Sequence, residues 1–209
     1  MTNNQPKTTL KGSRLWGVWL FFILVAIDQL TKLIADAYFS AAGAPAQITL
    51  IDGWLWLRIT YNRGISYGLG AGASPALKIA VVAFTAAMMA GLAILYFKVD
   101  KTRSWLKTAL VFVVAGGVGN LIDRVYYQVW NTSTAPLGVR DMVDLSKFGF
   151  AVCNFADFFI TAGAIMLVLS LLFFDKDAII PLGKYRKMAK AEQAAKQAAE
   201  QAKQDANNG

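Results

Sequence analysis

A helical integral membrane protein with four transmembrane spans and a small β-structure on its outer face is the fold class this sequence predicts. Three observations carry it. Of 209 residues, 56% are hydrophobic and only 16% charged, the profile of a polytopic membrane chain rather than a soluble domain. Four apolar runs approach the roughly 20 residues that a bilayer-spanning helix needs. Between the first two runs lies a stretch of aromatic and β-branched residues whose pattern favours strand over helix. No polar linker divides the apolar part, so residues 15–175 read as one membrane domain. Residues 1–14 form a polar N-terminal segment, and 176–209 a basic tail rich in Ala, Lys and Gln.

The first span covers Leu15 to Tyr38. Its basic start and short apolar core also fit a secretory signal peptide. No small-x-small cleavage site follows promptly, however, and Asp28-Gln-Leu-Thr-Lys32 leads back into apolar sequence. Asp28 and Lys32 are four residues apart and can pair on one helix face. From Gln47 to Gly72 the pattern changes. Trp54-Leu-Trp-Leu-Arg-Ile-Thr-Tyr61 reads as strand, and Asn62-Arg-Gly64, Gly68, Gly70, Gly72 and Pro75 break it. Trp54, Trp56, Tyr61 and Tyr67 are residue types that settle at headgroup level.

Ala76 to Phe97 is the second span, and Lys98, Lys101, Arg103 and Lys107 form a basic turn after it. The third span, Thr108 to Tyr127, carries Gly116-Gly-Val-Gly-Asn120-Leu-Ile-Asp123-Arg124. Gly116, Asn120 and Arg124 share a face, and small residues there permit close helix approach. Residues 128–151 read as a polar, turn-rich loop, and Val152 to Phe174 as the fourth span. The tail has helical charge spacing at Glu192, Lys196 and Glu200; it reads as a solvated helix or a disordered segment whose lysines can meet anionic headgroups.

Charge and composition exclude several functions. The net charge of +8 does not point to nucleic acid, because the basic residues cluster beside apolar spans and in the tail. With both termini inside, the cytoplasmic segments hold fourteen of the 21 Lys and Arg residues, so four spans with both termini cytoplasmic is the favoured topology. Histidine is absent, which removes Ser-His and Cys-His nucleophile pairs and any HExxH zinc site. No metal and no cofactor is expected. The lone Cys153 reads as a helix-packing residue. Any hydrolytic chemistry must then rest on carboxylates.

Two carboxylates stand out. Asp144 closes the polar loop, and Asp157 sits just inside the fourth apolar run, where a charge is costly and usually functional. Asn154 lies three residues before Asp157, one face of a helix. If the loop folds back, Asp144 and Asp157 reach one water and share a proton as general base and general acid. The alternative makes Asp144 a loop residue or helix cap and Asp157 a relay group. At the level of the whole chain, that alternative is a proton-coupled transporter or lipid-binding membrane protein relaying through Asp28, Asp123 and Asp157. Asn120, Asp123 and Arg124 need partners within a membrane helix, and Asp123 can pair with Arg124 or Lys32.

Taken as a set, Asp28-Gln-x-Thr-Lys32, Asn62-Arg-Gly64-x-Ser66-x-Gly68, Gly119-Asn120-Leu-Ile-Asp123-Arg124, Val143-Asp144 and Asn154-Phe-Ala-Asp157 resemble the blocks of lipoprotein signal peptidase, also called signal peptidase II, over about residues 15–175. The resemblance implies four membrane helices with a β-cradle on the outer face of the bacterial cytoplasmic membrane. It implies Asp144 and Asp157 as the catalytic aspartyl pair, with Asp28, Lys32, Asn62, Gly64, Asn120, Arg124 and Asn154 supporting the site or binding substrate, and Asp123 structural. It implies an endopeptidase that cleaves prolipoproteins before a diacylglyceryl-modified cysteine, with substrate and membrane lipids as partners; a monomer is the expected working unit. The sequence departs from the family pattern at Cys153 and Leu145, where Phe is usual, and in a lengthened 128–139 segment.

Overall fold

A computed structural model describes residues 16–64, 71–131, 138–175 and 177–208. The N-terminal segment 1–14, Ser66 and Gly68 of the second motif, Tyr67 and Gly70, and residues 132–137 of the lengthened segment lie outside the described residues. Four helices are long and apolar enough to cross a membrane: α1 (Trp16–Phe39), α2 (Pro75–Lys98), α3 (Ser104–Tyr126) and α4 (Phe155–Leu172). A fifth, α5 (Lys184–Asn208), is polar. The four spans alternate in direction. Helix α3 is the central one, packing on α1, α2 and α4. Its glycines explain the closeness of the last of these contacts: a Cβ on Gly116 would lie 2.3 Å from the Ala156 carbonyl oxygen.

At one end of the bundle sits an antiparallel sheet in the order β1-β2-β3-β4. Strands β1 (Ile48–Ile51) and β2 (Leu55–Asn62) form a hairpin whose turn places Gly53 at φ 70°. The stretch read as a loop before the fourth span contributes two more strands, β3 (Val139–Asp144) and β4 (Val152–Cys153), joined through a 3₁₀ turn at Ser146–Phe148. Helix α4 therefore begins later than its apolar run. Val152 and Cys153 pair with Asp144 and Val143, and Asn154 caps the helix instead of belonging to it. Helix α3 begins earlier, at Ser104, and Lys107 in its first turn folds its ammonium back onto the Tyr96 carbonyl oxygen at 3.0 Å and over the Tyr96 ring.

The other end of the bundle is basic. Arg103, in the turn between α2 and α3, pairs with Asp175 at 3.2 Å and with Asp177, closing that turn onto the end of α4.

Candidate active site

The polar core of the bundle is built outward from two fully buried residues on α1. Lys32 donates to Asp28 Oδ2 at 2.8 Å and to Asn120 Oδ1 at 3.0 Å, and lies 3.6 Å from Asp123 Oδ2. The second oxygen of Asp28 accepts the Ala156 backbone N–H at 2.9 Å, in the first turn of α4. Helix N-termini leave such N–H groups unpaired, and a carboxylate is a favourable acceptor for them. Asp28 and Lys32 are thus more than a local ion pair: they tie α1 to both α3 and α4.

Asp123 faces the sheet. It accepts the Arg140 backbone N–H at 2.9 Å, and the Arg140 guanidinium reaches its two oxygens at 2.7 and 3.3 Å. This clamps the start of β3 to α3. Arg124 donates to the Gly64 carbonyl at 3.3 Å and to the Asn120 carbonyl at 3.4 Å, and the charges of Asp157, Asp141 and Asp123 all act on its guanidinium. Gly64 in turn donates its N–H to Asn62 Oδ1 at 2.8 Å, ordering the end of β2.

Asn154 and Asp157 form a reciprocal cap on α4. The Asp157 N–H donates to Asn154 Oδ1, and the Asn154 N–H donates to Asp157 Oδ2, both at 3.1 Å. The other oxygen of Asp157 accepts from the Asn120 amide at 2.8 Å. The amide nitrogen of Asn154 then reaches two acceptors, Asn120 Oδ1 at 3.0 Å and Asp141 Oδ1 at 2.6 Å. The Asn62 side chain lies close enough to Asp141 to help hold its carboxyl down.

The carboxylate brought beside Asp157 is therefore Asp141, and the expectation of Asp144 in that place is corrected. The reason is strand parity. Residues 141 and 144 are three apart, so in β3 they point to opposite faces of the sheet. Asp141 shares its face with Thr60, its cross-strand partner, and with Asn62, which stands opposite Val139. Asp144 stands opposite Trp56 and pairs with the half-exposed Arg58 at 2.9 Å; its Oδ1 accepts the Ser146 N–H at 2.9 Å, starting the 3₁₀ turn. Asp-x-Ser is a local turn signal in the sequence that marks Asp144 as a turn-former. Asp141 carried no such mark.

Electrostatics separate the two further. Burial, and then the charge of Asp157, push the Asp141 carboxyl up from 3.8 to about 7. At Asp144 burial pushes the same way, but the Ser146 backbone and hydroxyl groups and the Arg58 guanidinium outweigh it and hold the carboxyl below its ordinary value. Burial, with the charges of Asp157, Asp141 and Asp144, drives the Cys153 thiol up to about 12. Its Sγ lies 3.6 Å from the Val143 carbonyl oxygen on the sheet rather than in a helix interface. Among the described residues no group of His, Cys, Asp and Glu is arranged to hold a metal ion.

An apolar cavity of about 90 Å³ adjoins Arg124 and Gly64 and runs between the start of α2 and the end of α3. A second, of about 400 Å³, lies between α1, α2 and α3 beside Phe21, Met89, Tyr96 and Leu110.

Known proteins share this sequence pattern and this fold. Residues 20–173 match the family model described as Signal peptidase (SPase) II. The chain is 32% identical over 167 residues to the lipoprotein signal peptidase of Fusobacterium nucleatum, covering 79% of this chain and 91% of that one. It is 35% identical over 147 residues to the protein of the same name from Bifidobacterium longum subsp. infantis, covering 70% and 72%. A solved structure titled as a bacterial membrane enzyme at 1.9 Å resolution shares the fold, with a TM-score of 0.58 at 24% identity over 75% of this chain and 92% of that one. The match runs through α1, the sheet, α3 and α4, every element that contributes to the site, and the chain belongs to the signal peptidase II family.

Proposed function

We propose that this protein is an aspartic-type endopeptidase that removes the signal peptide of diacylglyceryl-modified prolipoproteins, with Asp141 and Asp157 as the catalytic pair. Signal-peptide processing of lipoproteins follows from the family; the pair and the chemistry are our reading. The observation that carries it is the bridge made by Asn154, whose amide holds Asp141 at 2.6 Å while its backbone N–H holds Asp157 at 3.1 Å. Two carboxyls held on one residue at the mouth of a membrane bundle cannot both ionise readily and share a proton.

The partners suggest which one holds it. Both Asp157 oxygens accept N–H donors, as an ionised carboxylate does, and the first turn of α4 favours negative charge there. Asp141, buried and raised to about 7, carries the proton. Asp157 then takes a proton from water, the hydroxyl oxygen attacks the scissile carbonyl, and Asp141 donates its proton to the carbonyl oxygen. As the tetrahedral intermediate collapses, the proton on Asp157 passes to the leaving amine and Asp141 is reprotonated from the gem-diol. No covalent enzyme intermediate forms. Lys32 and Asn120 hold the pair in place, and Arg124 and Gly64 shape the rim that meets the peptide.

The test is cleavage of a lipidated precursor by purified protein in proteoliposomes. Asp141→Asn and Asp157→Asn should each lower turnover by at least about 10²-fold, the lower end of what a positioned acid or base contributes. Asp144→Asn should retain most of it. Full activity in Asp141→Asn with loss in Asp144→Asn, both folded, would reverse the assignment.

A further inference from the structure

The chain does not run straight out of the membrane after α4. The Ile179 N–H donates to the Leu171 carbonyl at 3.1 Å, Ile180 to Leu172 at 2.9 Å, and Leu182 to Phe173 at 3.0 Å. Terminal helix carbonyls have no partner within their own helix, so residues 179–182 satisfy the end of α4 by folding back beside it. They consequently lie at the depth where the span leaves the apolar layer. Nearby, Trp105 and Phe174 stack with ring centres 4.7 Å apart, residue types suited to that boundary. The side chains of Ile179 and Ile180 are 75% and 57% exposed, and Leu182 is exposed as well.

Helix α5 begins two residues later, and its charge is segregated. Lys184, Arg186, Lys187 and Lys190, all exposed, fill its first two turns. Beyond them Lys196 and Lys203 are offset by Glu192, Glu200 and Asp205. Positive charge is thus concentrated where the chain leaves the membrane.

We propose that residues 179–190 form an interfacial anchor for anionic phospholipid headgroups on the leaflet opposite the active site. Ile179, Ile180, Leu182 and Met188 supply the apolar contact, and the four basic side chains meet the headgroup phosphates. Lipid is favoured over a soluble acidic partner because the apolar and basic residues are adjacent and α4 holds both at the membrane surface. Each Lys or Arg beside an anionic surface is worth roughly a fivefold factor in binding.

Hydrogen exchange of the full chain in nanodiscs tests this, with phosphatidylcholine discs compared with discs containing phosphatidylglycerol. Amides of 184–195 should exchange at least about tenfold more slowly in the anionic discs. The slowing should vanish in about 1 M salt, where the screening length falls to about 3 Å, and in the K184Q/R186Q/K187Q/K190Q variant. A second readout separates lipid contact from helix formation. A fluorophore on Met188→Cys, in a Cys153→Ala background, should be quenched by spin-labelled lipid in anionic discs and less so when the four glutamines are present. Equal exchange in both disc types, slowing that survives the glutamine changes, or slowing that follows two copies per disc regardless of lipid would each overturn the proposal. The glutamine variant should cleave precursor normally in detergent, since none of the four residues touches the site.

Discussion

Asp141 and Asp144 show how much depends on a single residue's side of a strand. Each is an acidic group on β3, yet one is raised to about 7 and the other is held low by Arg58 and Ser146. If the pair works with one proton, activity should fall as pH rises through about 7, because the proton Asp141 must donate is then lost. A kcat/KM profile that stayed flat from neutral to alkaline pH would contradict this. The same shift acts on stability. A carboxyl raised in the folded state favours folding below its unfolded value of 3.8, and that contribution is lost as pH climbs through about 7. Asp144 acts in the opposite sense: its contribution is present above 3.8 and is lost as pH falls through its lowered value. Cys153 is the second residue-scale case. A thiol raised to about 12 carries almost no thiolate at neutral pH, so Cys153 should resist alkylation in the native protein, and Cys153→Ala should keep its activity. Mass spectrometry after maleimide treatment, with and without denaturant, checks the first point.

At the scale of elements, the contact between α3 and α4 sets the geometry of the pair, because α3 carries Asn120 and α4 carries Asp157. Gly116→Ala would put a methyl group 2.3 Å from a backbone oxygen of α4, so that helix must move. Overpacking of this kind costs about 1–3 kcal/mol, and turnover should drop with Tm. Gly91→Ala, whose new methyl group meets nothing within 4 Å, should raise Tm slightly or leave it unchanged. Thermal unfolding of the two variants in the same detergent makes the comparison. This scale also shows what could be read from the chain beforehand. The four spans were legible from apolar length alone, and the four-residue spacing of Asn120 and Arg124 placed them on one face of α3. Strand register was not legible. Sequence alone could not say which face of Arg140-Asp-Met-Val-Asp144 meets Asn62, because that depends on pairing with β2, more than 70 residues earlier. Nor did the apolar run reveal that its first two residues pair as β4 and its third caps α4, since Val, Cys and Asn interrupt no helical pattern.

For the whole molecule, the sheet and the aspartates occupy one end of a bundle whose other end is basic. The protein is a multi-pass component of the bacterial inner membrane. Its charge distribution predicts that the basic end faces the cytoplasm. In a Cys153→Ala background, an impermeant maleimide applied to intact spheroplasts should label Lys147→Cys and leave Lys101→Cys unlabelled until the membrane is opened. The reverse pattern would invert the topology. One further consequence concerns how the chain is made. Asp28 and Lys32 enter the bilayer with α1, but Lys32 finds Asn120 only 88 residues later, and Asp28 finds the Ala156 N–H 128 residues later. At synthesis rates of roughly 5–20 residues per second, that separation is on the order of ten seconds. Throughout the interval, this helix's own Lys32 and Gln29 are the partners Asp28 has at hand. Of the four spans, α1 is therefore made before the groups that complete it, and its final position is written by α3 and α4.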